Sequence, residues 1–352
     1  MLRVAIVGCG AIASKHVQSL SELREEAVLT AICDVDGERL ERFAETVCRP
    51  QYPEVRLFRS VEELLEQSDA ELVAVTTSSD AHAPLAIRAL RSGRHVLVEK
   101  PLALSMAEAR EAVEQARLHG KLLAVSYQVR YLPQIRALKE AADNGDFGFI
   151  AQGVVSMRWN RSLSYYKQSP WRESWAKGGG LFMNQCIHYI DLLQWLMGPV
   201  KSVYAQALTF GQPIKVENAG AVILRFRNGG IGIVEASAGI YPRSLGTSLS
   251  LFGDSGSATI KGGQFDEIEQ WNFRNPRTNR PDGRDRTAKI SHTPLYRDLA
   301  RAIRTGGSPL SAGATALAAN EIVLAAYRSI ASGAAVELPL DHFDMRRMDR
   351  ME

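Results

Sequence analysis

The sequence predicts an α/β chain with a doubly wound parallel sheet, followed by an α+β domain whose sheet is mostly antiparallel. Up to about residue 126, short apolar strands alternate with helical segments, as in a parallel sheet covered by helices. From Ile150 onward, longer strands follow one another, and Asn228-Gly229 between two of them is typical of a β-hairpin. A chain of 352 residues suits two cores, so we expect domains over 1–122 and 123–352. Two C-terminal helices should pack back towards the first domain.

The composition excludes several functional classes. Hydrophobic residues make up 45% of the chain and charged residues 23%, as in globular proteins. A formal net charge of +3 does not favour nucleic acid, and no apolar run could cross a membrane, so neither partner is expected. The four cysteines lack metal-binding spacing, so we expect reduced thiols, no metal site and a cytoplasmic location.

A glycine-rich turn directly follows the first strand. The letters G-C-G-A-I-A, starting at Gly8, match the G-x-G-x-x-A pattern between a strand and a helix. Gly8 permits the tight turn, Gly10 lets a pyrophosphate approach the backbone, and Ala13 keeps the helix near the strand. The N–H groups at the helix start, around Ala11 and Ile12, would face the phosphates. The sequence therefore predicts a dinucleotide site.

The acid that should select the dinucleotide is Asp34, at the end of the second strand and about 20 residues beyond the glycines. A carboxylate there accepts hydrogen bonds from the adenosine ribose hydroxyls and repels a 2′-phosphate. Arg39 is the nearest basic residue and is expected on the following helix. We therefore predict NAD as cofactor, with NADP less favoured.

Polar residues also follow the next strand, over 71–77. Thr77 and Ser78 stand at its carboxyl end and are expected to line the cofactor. His82 comes slightly later. It is predicted to contact the cofactor, although a helix-start role explains it almost as well.

The strand Val96–Val98 ends in Glu99 and Lys100. Ligands bind at the carboxyl edge of a parallel sheet, so we expect both side chains to contact the cofactor and Lys100 to contact the substrate. Pro101 restricts the backbone of Lys100 and so aims its ammonium group. Taken alone, a solvated lysine at a strand end would be at least as good an interpretation.

Between the first two strands of the second domain lies a loop rich in Trp, Tyr and Arg. Such a loop suits stacking on sugars or bases and pairing with carboxylate or phosphate. We expect Arg158, Tyr165 and Tyr166 to contact substrate, while other aromatic residues pack the loop. A second arginine-rich stretch over 273–289 is more simply a solvated loop than a diphosphate site.

A helix predicted over 181–197 carries Asn184, His188 and Asp191 on one face. A single helical histidine is most often a core residue, and this face lacks further metal ligands. Because Lys100 is expected across the cleft, a catalytic His188 is the better hypothesis.

Three segments together resemble the Gfo/Idh/MocA oxidoreductases over nearly the whole chain. These are the glycine-rich turn, the segment Ala89–Leu102 with its Glu-Lys-Pro, and Gly178-Gly179-Gly180 with the later His188 and Asp191. The resemblance implies an N-terminal Rossmann domain and a C-terminal domain whose open sheet supplies the substrate pocket. That sheet is often the oligomer interface, so a homodimer or homotetramer is expected.

The resemblance also implies roles for single residues. Lys100 would be the active-site lysine and His188 the acid/base, with Gln128 and Arg130 bordering the active site, although a surface helix start explains the last two equally well. Inositol dehydrogenases have Asp where this chain has Asn184. An Asn there resembles the branch that oxidises UDP-N-acetylglucosaminuronate at C3.

We therefore expect NAD-dependent hydride transfer from a secondary alcohol of a sugar ring, with a nucleotide sugar as substrate. Three alternatives stay open. They are an inositol or free-sugar dehydrogenase, a ketosugar reductase, and a non-catalytic NAD-binding regulator.

Overall fold

The computed structural model describes residues 1–281 and 290–350. Arg284 and Arg286 of the second arginine-rich stretch lie outside these residues. The chain forms two compact units. The first consists of Met1–Ala103, Ala107–Gln128 and Ser291–Leu317, and the second of the described residues of Leu104–Met106, Val129–Ile290 and Ala318–Glu352.

The first unit contains a six-stranded parallel sheet in the order β3-β2-β1-β4-β5-β6. Its strands are β1 (Leu2–Val7), β2 (Ala27–Cys33), β3 (Arg56–Phe58), β4 (Leu72–Val75), β5 (His95–Val98) and β6 (Leu123–Val125). Every residue of β4 is buried, as expected for a strand covered on both faces. The order reverses between β1 and β4, so the predicted doubly wound sheet is confirmed.

Helices follow the strands of this sheet in the chain. They are α1 (Ala13–Ser21), α2 (Gly37–Phe43), α3 (Val61–Gln67), α4 (Ser79–Arg91) and α5 (Met106–Leu118), with α9 (Thr293–Thr305) contributed from far along the chain. Thr293 donates a hydrogen bond of 2.6 Å to Glu22, and Arg297 pairs with Glu26 at 3.0 Å. Helix α9 is therefore bound to the end of α1.

The second unit contains an open eight-stranded sheet in the order β13-β12-β11-β7-β10-β9-β8-β14. Its strands are β7 (Ile150–Arg158), β8 (Val200–Leu208), β9 (Ala219–Phe226), β10 (Ile231–Ser237), β11 (Gly246–Gly253), β12 (Gly256–Gly262), β13 (Glu267–Phe273) and β14 (Val336–Glu337). Neighbouring strands are antiparallel except β7 and β10, which confirms the predicted sheet type. Gly229, with φ +97°, closes the predicted hairpin between β9 and β10.

Helices cover one face of this sheet. The helices here are α6 (Pro133–Asp143), α7 (Leu163–Lys167) and α8 (Ile187–Met197), while α10 (Gly313–Ser332) runs from the first unit into the second. A side chain at Gly153 of β7 would overlap Met197 and Leu193 of α8, so glycine lets the helix approach the strand. The sequence predicts one helix over 181–197. In the structure the first part of this segment, Phe182–Cys186, is π-helical and α8 follows it.

Within the described residues, no helix is both long enough and apolar enough to cross a membrane.

Candidate functional site

The glycine-rich turn has the shape that a pyrophosphate needs. Gly8 has φ +100°, and a Cβ there would lie 2.8 Å from Thr77 Cγ2, so no other residue fits without strain. A Cβ at Gly10 would meet only the Thr76 carbonyl oxygen, at 4.0 Å. The space beside Gly10 is therefore open, and Ala11 and Ile12 lie directly before α1 at this opening.

Asp34 holds the glycine-rich turn through hydrogen bonds. Its Oδ2 accepts a hydrogen bond of 2.8 Å from the Cys9 N–H, and its Oδ1 accepts one of 2.9 Å from the Asp36 N–H. Arg39 lies on α2, as expected, with its Nε 3.4 Å from Asp34 Oδ2 and a second contact of 2.8 Å to Asp36. The carboxylate thus joins the glycine turn to the end of β2.

Thr77 and Ser78 lie where β4 ends and α4 begins, as the sequence predicts. His82 is buried one turn into α4. Its Nδ1 lies 2.7 Å from the Pro101 carbonyl oxygen and its Nε2 lies 3.1 Å from the Thr77 carbonyl oxygen. Both ring nitrogens face the backbone, so the ring links the ends of β4 and β5. A direct contact of His82 with cofactor stays a prediction.

Glu99 follows β5 and lies in a buried cluster that sequence reasoning missed. Its Oε1 is 3.0 Å from His16 Nε2 on α1 and 2.9 Å from His292 Nε2 at the start of α9. The Tyr296 hydroxyl is 2.8 Å from His16 Nδ1. Lys100 is the next residue and is half-buried. The predicted pair therefore stands at the carboxyl end of β5, with Glu99 held from two sides.

Gln128 lies three residues after β6, at the end of the second segment of the first unit. Its Oε1 is buried and has no hydrogen-bond partner within the described residues. A buried amide oxygen without a partner is costly, so this atom is suited to receive a hydrogen bond from a ligand.

The three residues of the predicted helix face lie in two successive elements, a π-helical turn and α8. Asn184 is buried in the π-helical turn, and Asp191 is buried in α8 with two hydrogen bonds from Arg130, of 2.7 Å and 2.5 Å. His188 is half-buried, whereas the other side chains over 181–193 are buried. His188 is therefore the position of this segment that can be reached from outside.

The Trp, Tyr and Arg loop forms stacked pairs. Guanidinium carbons of Arg161 and Arg172 lie 4.9 Å and 4.1 Å from the centre of the Tyr165 ring, and the Tyr165 hydroxyl accepts a hydrogen bond of 3.0 Å from Gln185. Tyr166 is buried, and burial raises its pKa to about 12. Arg158 lies at the end of β7 and pairs with Glu235 at 2.7 Å on the surface. Contact of these residues with substrate stays a prediction.

A buried carboxyl group supports the glycine run before the π-helical turn. Glu217 Oε1 accepts hydrogen bonds of 3.0 Å from the Phe182 N–H and 2.6 Å from the Tyr327 hydroxyl. A side chain at Gly180 would overlap Glu217, and Gly180 has φ +78°. Burial raises the pKa of Glu217 to about 8. Sequence reasoning missed this residue, because nothing near it in the chain indicates its partners.

Comparison with known families matches both parts of the chain. The model described as an oxidoreductase family with an NAD-binding Rossmann fold, GFO_IDH_MocA, matches residues 2–127, and the GFO/IDH/MocA C-terminal domain matches residues 135–259.

Solved structures and sequence relatives agree with these matches. The WlbA dehydrogenase of Chromobacterium violaceum, crystallised with NADH and UDP-GlcNAcA, is 34% identical, with 97% of this chain and 96% of that chain covered and a TM-score of 0.89. The WlbA dehydrogenase of Bordetella pertussis, with the same ligands, is 32% identical, with 97% and 99% covered and a TM-score of 0.87. Myo-inositol 2-dehydrogenase of Thermotoga maritima is 28% identical over 244 residues, which are 67% of this chain and 68% of the relative.

Proposed function

We propose that this chain, which belongs to the Gfo/Idh/MocA family of NAD-dependent oxidoreductases, oxidises a ring hydroxyl of a nucleotide sugar, with the C3 hydroxyl of UDP-N-acetylglucosaminuronate as the best candidate. The observation that carries the substrate assignment is Asn184, four residues before His188, where inositol dehydrogenases have an acid. The likeness to the two WlbA dehydrogenases over 97% of this chain supports the same substrate class.

NAD is the cofactor, and the first unit has the groups that fit it. The open side of Gly10 and the N–H groups at the start of α1 would hold the pyrophosphate, and Asp34 would accept hydrogen bonds from the adenosine ribose. Thr77, Ser78 and Glu99, at the ends of β4 and β5, would line the nicotinamide half. When bound, the cofactor supplies the hydride acceptor.

We assign the proton transfer to His188 and the hydrogen bond to the reacting oxygen to Lys100. A half-buried imidazole can act as a general base and accept the proton of a sugar hydroxyl. An ammonium group stabilises the negative charge that develops on the oxygen as the proton leaves. Asn184 can hold a neighbouring hydroxyl but cannot act as a base.

Each unit has groups suited to substrate recognition. In the first, Gln128 Oε1 is a buried acceptor suited to a sugar hydroxyl. In the second, the two guanidinium groups stacked on Tyr165 offer positive charge to an anionic sugar. Arg158 and Tyr166 are assigned to the border of this region.

The second candidate function is inositol or free-sugar oxidation. The likeness to the myo-inositol 2-dehydrogenase of Thermotoga maritima favours it. A non-catalytic NAD-binding regulator is the candidate from another class. Lys100 and His188 together argue for catalysis.

Substrate profiling tests the assignment. We would measure NADH formation from NAD with UDP-N-acetylglucosaminuronate, UDP-N-acetylglucosamine, glucose and myo-inositol. Highest kcat/KM with the first compound is expected. Highest kcat/KM with myo-inositol would contradict the proposal, and NAD binding without turnover of any candidate would favour the regulator.

We also propose self-association through the second sheet, into a homodimer or homotetramer. Tyr204, Ile223, Ile233 and Val154 stand opposite one another across β8, β9, β10 and β7. They lie on the face opposite α8, where Ile223 is 48% exposed. An apolar row of this kind on a sheet face suits a second copy of the chain.

A further inference from the structure

The buried cluster around Glu99 carries an inference beyond the roles assigned above, although it rests on NAD binding in the first unit. We infer that His16 and His292 are positioning residues that hold Glu99 as a fixed negative charge, so that the nicotinamide half of the dinucleotide binds more tightly in its oxidised, cationic form. The cluster lies wholly within the first unit.

The contacts define how Glu99 is held. Both histidine Nε2 atoms approach the same oxygen, Oε1, at 3.0 Å and 2.9 Å, and the two imidazole rings lie 4.3 Å apart. The Oε2 atom takes part in neither contact, and 7% of the Glu99 side chain stays accessible. Both contacts thus fix the orientation of the Glu99 carboxylate at the end of β5.

Proton positions follow from the fourth member of the cluster. The Tyr296 hydroxyl can donate to His16 Nδ1, which leaves the ring proton on Nε2, where it is donated to Glu99. His292 donates its own Nε2 proton in the same way. Both imidazoles thus donate to Glu99, whose carboxylate carries the negative charge.

The electrostatics agree with a neutral His16 and an ionised Glu99. Burial, with help from the nearby His292, lowers the pKa of His16 to about 4, so the ring is neutral near pH 7. Burial alone would raise the pKa of Glu99, but the hydrogen bonds from both histidines outweigh it and hold that pKa well below its ordinary value.

The position of Glu99 makes this charge relevant to the cofactor. In a sheet of this order the dinucleotide crosses the point between β1 and β4, and β5 belongs to the half on the nicotinamide side. The oxidised pyridinium ring carries a positive charge that the reduced ring lacks. A fixed carboxylate at the end of β5 therefore stabilises the oxidised form preferentially.

A metal ion is the alternative occupant of this cluster. The Nε2 atoms of His16 and His292 and the Oε1 atom of Glu99 all lie within 4.8 Å of one another, and zinc accepts such a set. However, both N–O separations are hydrogen-bond lengths. The Tyr296 hydroxyl also favours a proton on His16 Nε2, which would block metal binding there. We therefore favour the hydrogen-bonded cluster.

Cofactor binding to the purified full chain, without sugar, provides the test. We would measure dissociation constants for NAD, NADH and ADP-ribose, which lacks the nicotinamide, in wild type and in Glu99→Gln, His16→Leu and His292→Leu. Loss of a hydrogen-bonded charge predicts that NAD binding weakens about tenfold. NADH binding should weaken less, and the dissociation constant for ADP-ribose should change less than twofold. The exposed His119→Leu is the matched control.

Two milder variants cover the case in which a leucine variant does not fold. Tyr296→Phe removes only the hydroxyl, and His16→Gln keeps an N–H donor near the position of Nε2. We expect His16→Gln to retain most of the preference for NAD over NADH. NMR of the protein without cofactor should also show the Nε2–H tautomer of His16, and Tyr296→Phe should weaken that preference for one tautomer.

Three outcomes would overturn the inference. Equal weakening of NAD binding and ADP-ribose binding would show a purely structural role. An unchanged ratio of the NAD and NADH dissociation constants in Glu99→Gln would show that the charge has no effect. One equivalent of zinc in the wild type, lost in His292→Leu, would assign the cluster to a metal. A wild type that binds none of the three nucleotides would instead refute the proposed function itself.

Discussion

Arg130 and Asp191 form an ion pair with two hydrogen bonds, of 2.7 Å and 2.5 Å, and neither side chain reaches solvent by more than 1%. Burial raises the pKa of Asp191, and Arg130 opposes that shift. Arg130 also lies over the Trp195 ring, 5.1 Å from its centre. The pair thus joins α8, the helix that carries His188, to the segment before α6.

Breaking this pair should be costly. Arg130→Met leaves a buried carboxylate without its cation, so the free energy of unfolding should fall by about 3–5 kcal/mol in urea denaturation. Arg130→Met combined with Asp191→Leu should recover much of that loss. Arg88→Met removes an exposed pair with Glu62 and should cost less than about 1 kcal/mol. Equal losses for Arg88→Met and Arg130→Met would contradict the expectation.

Asp34→Ala should weaken NAD binding and reduce the discrimination against NADP. The change removes an acceptor for ribose hydroxyls, and also the hydrogen bond to the Cys9 N–H that fixes the glycine turn. An effect of about tenfold to a hundredfold on the NAD dissociation constant is expected. Asp80→Ala, at an exposed acid in the first turn of α4, is the control. An unaltered ratio of the NADP and NAD dissociation constants would refute the assignment of Asp34 to the ribose.

His188→Ala should lower kcat by about 10²–10⁴-fold, because general acid/base catalysis is worth that much. The dissociation constant for NAD should change less than twofold, since the dinucleotide site lies in the first unit. Steady-state rates and fluorescence titration with NADH measure the two effects separately. His119→Ala should change neither quantity. Full turnover in His188→Ala would remove this residue from the mechanism.

Glu217 predicts a pH dependence of stability. Its pKa is about 8 when folded, against an ordinary value of 4.5. Below about pH 4.5 the group is protonated in both states and costs nothing. Between the two values the unfolded chain releases the proton and the folded chain keeps it, so the free energy of unfolding falls as pH rises. The loss is complete above pH 8 and is on the order of 5 kcal/mol.

Urea denaturation at a series of pH values measures this loss. Glu217→Gln resembles the protonated acid and keeps an acceptor for the Tyr327 hydroxyl. The part of the stability loss between pH 5 and 8 that Glu217 causes should therefore disappear in this variant. Glu25→Gln, at an exposed site, should leave the pH dependence unchanged. The same slope in Glu217→Gln and wild type would contradict the assignment.

Ile223→Glu should reduce the native mass of the protein. The change places a charge in the apolar row on the open sheet face, where a second copy is proposed to pack. Size-exclusion chromatography with light scattering would show a shift to a smaller species. Leu118→Glu, at an exposed apolar residue of α5, should leave the mass unaltered. A monomeric wild type would refute the proposed interface.

The sequence predicts the first sheet and its ligand-binding edge well, because local rules suffice there. A G-x-G-x-x-A turn between a strand and a helix specifies one geometry, and the residue after a buried strand must stand at the sheet edge. Gly8, Asp34, Glu99 and Lys100 all lie at such positions.

The support behind these residues could not be predicted. His292 approaches Glu99 from 193 residues away, and Tyr327 approaches Glu217 from 110 residues away. Such contacts depend on how helices pack, which no local pattern encodes. His16 offered a weak signal, since it stands one turn into the helix that follows the glycines.

Helix α9 has a consequence for how the protein is made. Its His292 and Tyr296 complete the buried surroundings of Glu99, yet a ribosome synthesises them only after most of the second unit. A nascent chain that ends at Gln128 contains the six strands of the first sheet but leaves a glutamate without half of its hydrogen-bond donors. The buried surroundings of Glu99 are therefore completed during translation only after Tyr296 has been synthesised.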